Sequence, residues 1–134
     1  MDYLLDTNII SATLKQNQTV LEKTRLIRRF GGKTYISTIN YYEVKRGLLA
    51  SQASHKLRLF HQLLQDYEVL GIDEVPVLEK AAAIYVELKQ RGELLPDADI
   101  LIAAVAQVHD LVLVTDDNHF NRISGLRLEN WVRD

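Results

Sequence analysis

Five short β-forming runs, DYLL, TYIST, YEVLG, LVLVT and LRLEN, alternate with segments of helical period, and this alternation limits the fold more than any other feature of the chain. The helical segments cover residues 9–15, 20–30, 40–50, 55–65, 75–91 and 97–109. Strands separated by helices imply an α/β fold, a mostly parallel central sheet with helices on both faces. No repeat, low-complexity tract or linker interrupts the pattern, so residues 1–134 read as a single domain. Pro76 and Pro96 fall where helices begin, the position at which a missing N–H costs least.

Several function classes drop out on composition. A chain that is 47% hydrophobic and 25% charged has no reason to be disordered. With no cysteine there are no disulfides, thiolate nucleophiles or cysteine zinc sites. No apolar run approaches the ~20 residues needed to span a bilayer, and no signal peptide is recognisable, so a cytoplasmic protein away from membranes is expected. The net charge of −2 hides a segregation: residues 20–61 carry nine basic and two acidic side chains, a balance of +7, against −9 elsewhere. Such a segment points to a polyanionic partner, although solvated helix faces would look the same.

Strand direction then gives the acids meaning. Ligands of open parallel sheets bind beyond the carboxyl ends of the strands. Asp6 ends the first run, Glu43 lies in the first turn of the helix after TYIST, and Asp116 and Asp117 end LVLVT. The helix PDADILIAAVAQVHD runs back into LVLVT, so its first residues, Asp97 and Asp99, share that edge. This helix is apolar nearly all round, as a buried element would be.

Each acid has a structural explanation when taken singly. Asp6 or Asn8 could cap the first helix, Asn40 with Glu43 has capping-box spacing, Asp97 suits an N-cap, Asp99 suits the helix dipole, and Asp116 to Asn118 is turn composition. Together they repel: at ~5 Å and an effective dielectric of 20, each pair costs about 3 kcal/mol. A hard divalent cation offsets that, which points to metal-assisted phosphodiester hydrolysis. Crowding and burial should also raise the pKa values of the group, so that Asp6→Asn leaves the metal-free protein at least as stable as wild type at neutral pH.

Two other signals fail. GGKT at Gly31 to Thr34 lacks the first glycine of a phosphate loop, where Ile27 stands, and leads from helix to strand instead of the reverse. His55, His61, His109 and His119 show no zinc spacing, and His119 alone lies near the acids.

LLDTNII, the Glu of YYEVKRG, DADILIAA, VTDDNHF and the closing ISGLRLENW, in that order over nearly the full length, resemble the PIN-domain nucleases, and among them the VapC-type toxins of toxin–antitoxin pairs. The resemblance implies a PIN-like fold and metal-coordinating acids at Asp6, Glu43 and Asp99. Thr7, Asn8 and Thr115 would support them, and the fourth acid would be Asp117, with Asp116 as its rival. Lys45 and Arg46 become candidate RNA contacts. The resemblance further implies an RNA substrate, Mg2+ or Mn2+, a homodimer and a small VapB-type antitoxin. A dehalogenase-type phosphatase would need an acid where Asn8 stands. A phospho-receiver would need a lysine ending LVLVT or LRLEN, where none occurs. A PIN-like domain that binds RNA or a partner without cutting is disfavoured because all the acid positions are filled.

Overall fold

The strands are only two to four residues long: β1 (Tyr3–Leu5), β2 (Thr34–Ser37), β3 (Glu68–Leu70), β4 (Val112–Val114) and β5 (Leu128–Glu129). The computed structural model describes residues 1–133. All five strands pair in parallel, in the order β3-β2-β1-β4-β5, with Leu4 opposite Tyr35 on one side and Leu113 on the other. The helices are α1 (Thr7–Leu14), α2 (Gln18–Arg29), α3 (Thr38–Ala50), α4 (Ser54–Leu63), α5 (Val75–Gln90) and α6 (Asp97–Val108). A 3-10 turn at Asn118–Arg122, which the periodicity does not announce, follows β4.

Ladders this short do not hold a sheet, so burial must. Alternation sends Leu4 and Leu113 to one face, against α5 and α6, and Leu5 and Val114 to the other, against α1, Val44 of α3 and Phe60 of α4. These strand residues are fully buried, which is worth about 1.5–3 kcal/mol per side chain. Helix α6 is enclosed, with Ile100, Ile102, Ala103, Ala104, Val105 and Ala106 all buried. Its alanines admit the close approach of α5 on one side and the sheet on the other.

Helix starts depart from the sequence expectations in instructive ways. The capping box of α3 is built from Ser37 and Asn40, not from Asn40 and Glu43: Ser37 Oγ accepts from Asn40 N at 3.1 Å, and Asn40 Oδ1 accepts from Ser37 N at 3.3 Å. Glu43 therefore falls in the second turn. Pro96 holds the N-cap position of α6, and Asp97 is the first helical residue, making no capping bond. The GGKT stretch turns from α2 into the amino-terminal end of β2, with Gly31 at φ +83°, a left-handed conformation that favours glycine. Among the described residues, no helix is long and apolar enough to cross a membrane.

Candidate active site

The chain leaves β1 toward β2 and leaves β4 toward β5, in opposite directions across the sheet. A crevice therefore opens beyond the carboxyl ends of the adjacent strands β1 and β4. Asp6 and Thr115 stand side by side there, because the ladder continues past the strands: Asp6 N donates to Val114 O, and Thr115 N donates to Glu129 O, both at 2.9 Å.

Asp6 is 6% exposed, and its carboxylate collects four donors. Oδ1 accepts from Thr7 N at 2.9 Å, the N-cap contact of α1, and from Asn40 Nδ2 at 3.2 Å. Oδ2 accepts from the Thr115 hydroxyl at 2.8 Å and from Asn8 Nδ2 at 3.3 Å. Burial raises its pKa above the usual carboxylate range and the charge of Glu43 adds to this, while the hydrogen bonds pull the other way. Thr7 Oγ1 donates to Glu43 Oε1 at 2.7 Å and accepts from Asn40 Nδ2 at 3.1 Å. One buried amide thus orients both Asp6 and, through Thr7, Glu43.

Asp99, in the first turn of α6, faces this group. Its pKa is pushed up to about 6, first by burial and then by the charges of Asp6, Asp117 and Glu43, with His119 opposing. Among the described residues its carboxyl accepts no side-chain or backbone hydrogen bond. Asp117 caps the 3-10 turn: its Oδ1 accepts from His119 N at 2.9 Å and lies 3.1 Å from His119 Nδ1. Asp116 is held differently. Its N–H donates to Asn8 Oδ1 at 3.0 Å, and its Oδ1 accepts from Asn130 Nδ2 at 2.8 Å and lies 3.1 Å from Arg133 Nε.

A cleft of about 740 Å³ is lined by Asp6, Thr7, Asn8, Glu43, Asp99 and Asp116, and also by Arg46 and Lys15, whereas Asp117 is not part of this lining. Asp97 is exposed and outside this lining. Lys45, half-buried, is also outside the lining, and its Nζ lies 2.8 Å from His61 Nε2. Arg46 reaches the cleft while stacked over Tyr42, its guanidinium carbon 5.0 Å from the ring centre. Sequence reasoning did not find Asn40 as an orienting group, nor Asn130, Arg133 and Lys15. For Asn40 the Ser37-x-x-Asn40 spacing was a usable signal; for Asn130 only its place between β5 and Trp131 was.

The donors are all oxygens, which suits a hard cation. No three carboxylate, histidine or cysteine side chains among the described residues are drawn into a ready cage. Mg2+ does not require one, since it keeps several waters and takes one or two carboxylates. An acid without hydrogen-bond donors, Asp99, facing an acid rigidly held by four, Asp6, fits that mode of binding.

Known proteins share this fold. The model of the PIN domain family matches residues 3–126. Ribonuclease VapC2 of Haemophilus influenzae is 33% identical over 98% of this chain and 99% of its own length. The tRNA(fMet)-specific endonuclease VapC of Salmonella typhimurium is 29% identical over 98% of each. A chain of the solved structure of DNA-bound VapBC from Salmonella typhimurium superposes with a TM-score of 0.88 at 29% identity, again over 98% of both. With its parallel sheet, its acid-lined crevice and these full-length matches, the chain belongs to the PIN-domain family, among the VapC proteins.

Proposed function

We propose that residues 1–134 form a PIN-like nuclease domain that hydrolyses RNA phosphodiester bonds with a divalent metal, as the toxin of a VapBC-type toxin–antitoxin pair. The observation that carries this reading is the convergence of Asp6, Glu43 and Asp99 on one cleft, with Asp117 near enough for its charge to bear on Asp99. These four carboxylates would hold the metal. Mg2+ or Mn2+, when bound, supplies a Lewis acid that lowers the pKa of a water and offsets charge on the leaving oxygen. The chain's own work is positional. Asn40, Asn8 and Thr115 fix both oxygens of Asp6, and Thr7 fixes Glu43. Arg46 and Lys15 present cations in the lining of the cleft, where they could meet substrate phosphates.

RNA as substrate is supported by the ribonuclease names of the relatives and by the +7 segment. A VapB-type antitoxin is supported by the likeness to a VapBC complex. A homodimer is supported by α5, which exposes Val75, Leu78 and Val86 along its outer side. We place the protein in the cytoplasm, where its substrate would be. Cleavage of a structured RNA should stop in excess chelator and return with Mg2+ or Mn2+. Undiminished cleavage in chelator would remove the metal from the reading.

A further inference from the structure

Asp116 and Asp117 follow the same strand, yet the molecule treats them oppositely. Asp116 is tied at both ends, its N–H by Asn8 and its Oδ1 by Asn130 Nδ2 and Arg133 Nε. Its charge is therefore already offset by protein. Among the described residues the one cation beside Asp117 is His119, and the charge of Asp117 bears on Asp99, although Asp116 is the one of the two that lines the cleft. Asn130 in turn is well anchored: its Oδ1 accepts from Val132 N at 2.9 Å and from Arg133 N at 3.2 Å, so the segment after β5 folds back and Val132 joins the lining of the cleft.

From this arrangement, and resting on the nuclease reading above, we infer that Asn130 is a positioning residue. It pins Asp116, and Asp116 is the anchor of the 115–117 loop instead of a metal-holding acid, which leaves Asp117 as the acid of the pair that acts on Asp99. The link is a single side-chain bond across 14 residues of sequence. Its polarity can be reversed without changing size. Asn130→Asp keeps the oxygen that closes the 130–133 turn but sets a carboxylate against Asp116. Asp116→Asn alone leaves a pair of amides that still bond. Asp116→Asn with Asn130→Asp restores one amide facing one carboxylate.

Four variants, Asn130→Asp, Asp116→Asn, the double swap and Asp117→Asn, would be compared with wild type by three readouts. The first is amide exchange at Asp116 and Asp117 in the metal-free protein, whose N–H groups donate to Asn8 and Thr115. Exchange should quicken in Asn130→Asp and return in the swap. The second is RNA cleavage: Asn130→Asp should lower kcat by about a hundredfold with little change in KM, as a misplaced group does. Asp116→Asn should lose much less of the rate than Asn130→Asp, and the swap should recover what Asn130→Asp loses. The third is the rise in melting temperature on adding Mn2+, kept in Asp116→Asn and lost in Asp117→Asn. Unchanged exchange and rate in Asn130→Asp would overturn the inference. So would loss of the Mn2+ response in Asp116→Asn, which would make Asp116 the metal-holding acid. If wild type neither cuts RNA nor responds to Mn2+, the nuclease reading fails, and the exchange data still judge the link between Asn130 and the loop.

Discussion

At Asp99 a single carboxyl reports on the whole cluster. Its pKa stands at about 6, raised by burial and by three acidic neighbours. An unfolded aspartate titrates near pH ~4, so between the two values the folded state holds more protons, and metal-free stability falls as pH rises through that window. Asp99→Asn removes the fall. The metal-free variant should match wild type near pH ~4 and exceed it at neutral pH by about 1 kcal/mol, the shift being discounted for the solvent around a half-exposed group. It should also lose RNA cleavage and the stabilisation given by added metal. Thermal melts at both pH values check this; a difference independent of pH would mean that the Asp99 carboxyl is not raised at all. Asp97→Asn, at an exposed first helical position without a capping bond, should change little in either assay. Asp6→Asn should destabilise the metal-free protein, contrary to the expectation from sequence. Both of its carboxylate oxygens accept two bonds, and an amide nitrogen in place of Oδ2 would meet Asn8 Nδ2 donor to donor.

Helix α3 shows how an element carries a site. Its N-terminus is closed by Ser37 and Asn40, both fully buried, and the amide of Asn40 that the cap leaves over points at Asp6 and Thr7. Ser37→Ala should cost about 1 kcal/mol, as a lost cap does. Asn40→Ala should cost about 2–3 kcal/mol, because it also strips donors from buried acceptors, and should lower cleavage more than Ser37→Ala does. Denaturant melts beside the cleavage assay would show it, and equal losses of rate in the two variants would reduce Asn40 to a cap. The elements themselves were legible because period and alternation are local: all five strands and all six helices lie within a few residues of where the pattern put them. The acids at the sheet edge followed from strand direction alone. The caps were less legible because Ser37-x-x-Asn40 and Asn40-x-x-Glu43 overlap, and spacing does not choose between them. The bond from Asn130 to Asp116 was not legible at all, since it joins two loops that only the completed sheet brings together.

At the scale of the molecule, one face of α5 is left uncovered by the described residues. Val75, Leu78 and Val86 are 67%, 48% and 51% exposed, on a helix whose other side packs into the core through Val77, Ala81, Ile84 and Leu88. If the homodimer proposed above forms through this face, Val86→Glu should leave the fold intact and convert the dimer to a monomer in sedimentation. A variant that stays dimeric would move the interface elsewhere. The order of the strands has a consequence in time. Strand β1 is the first made, but it lies between β2 and β4, and the bond from Thr115 to Asp6 spans 109 residues. A chain still on the ribosome carries Asp6 and Glu43 through most of its synthesis with no wall of β4 to close the crevice, and Asn130 is made later still. The crevice therefore cannot close until β4 has been made, and Asp116 is not tied down until Asn130 has followed it.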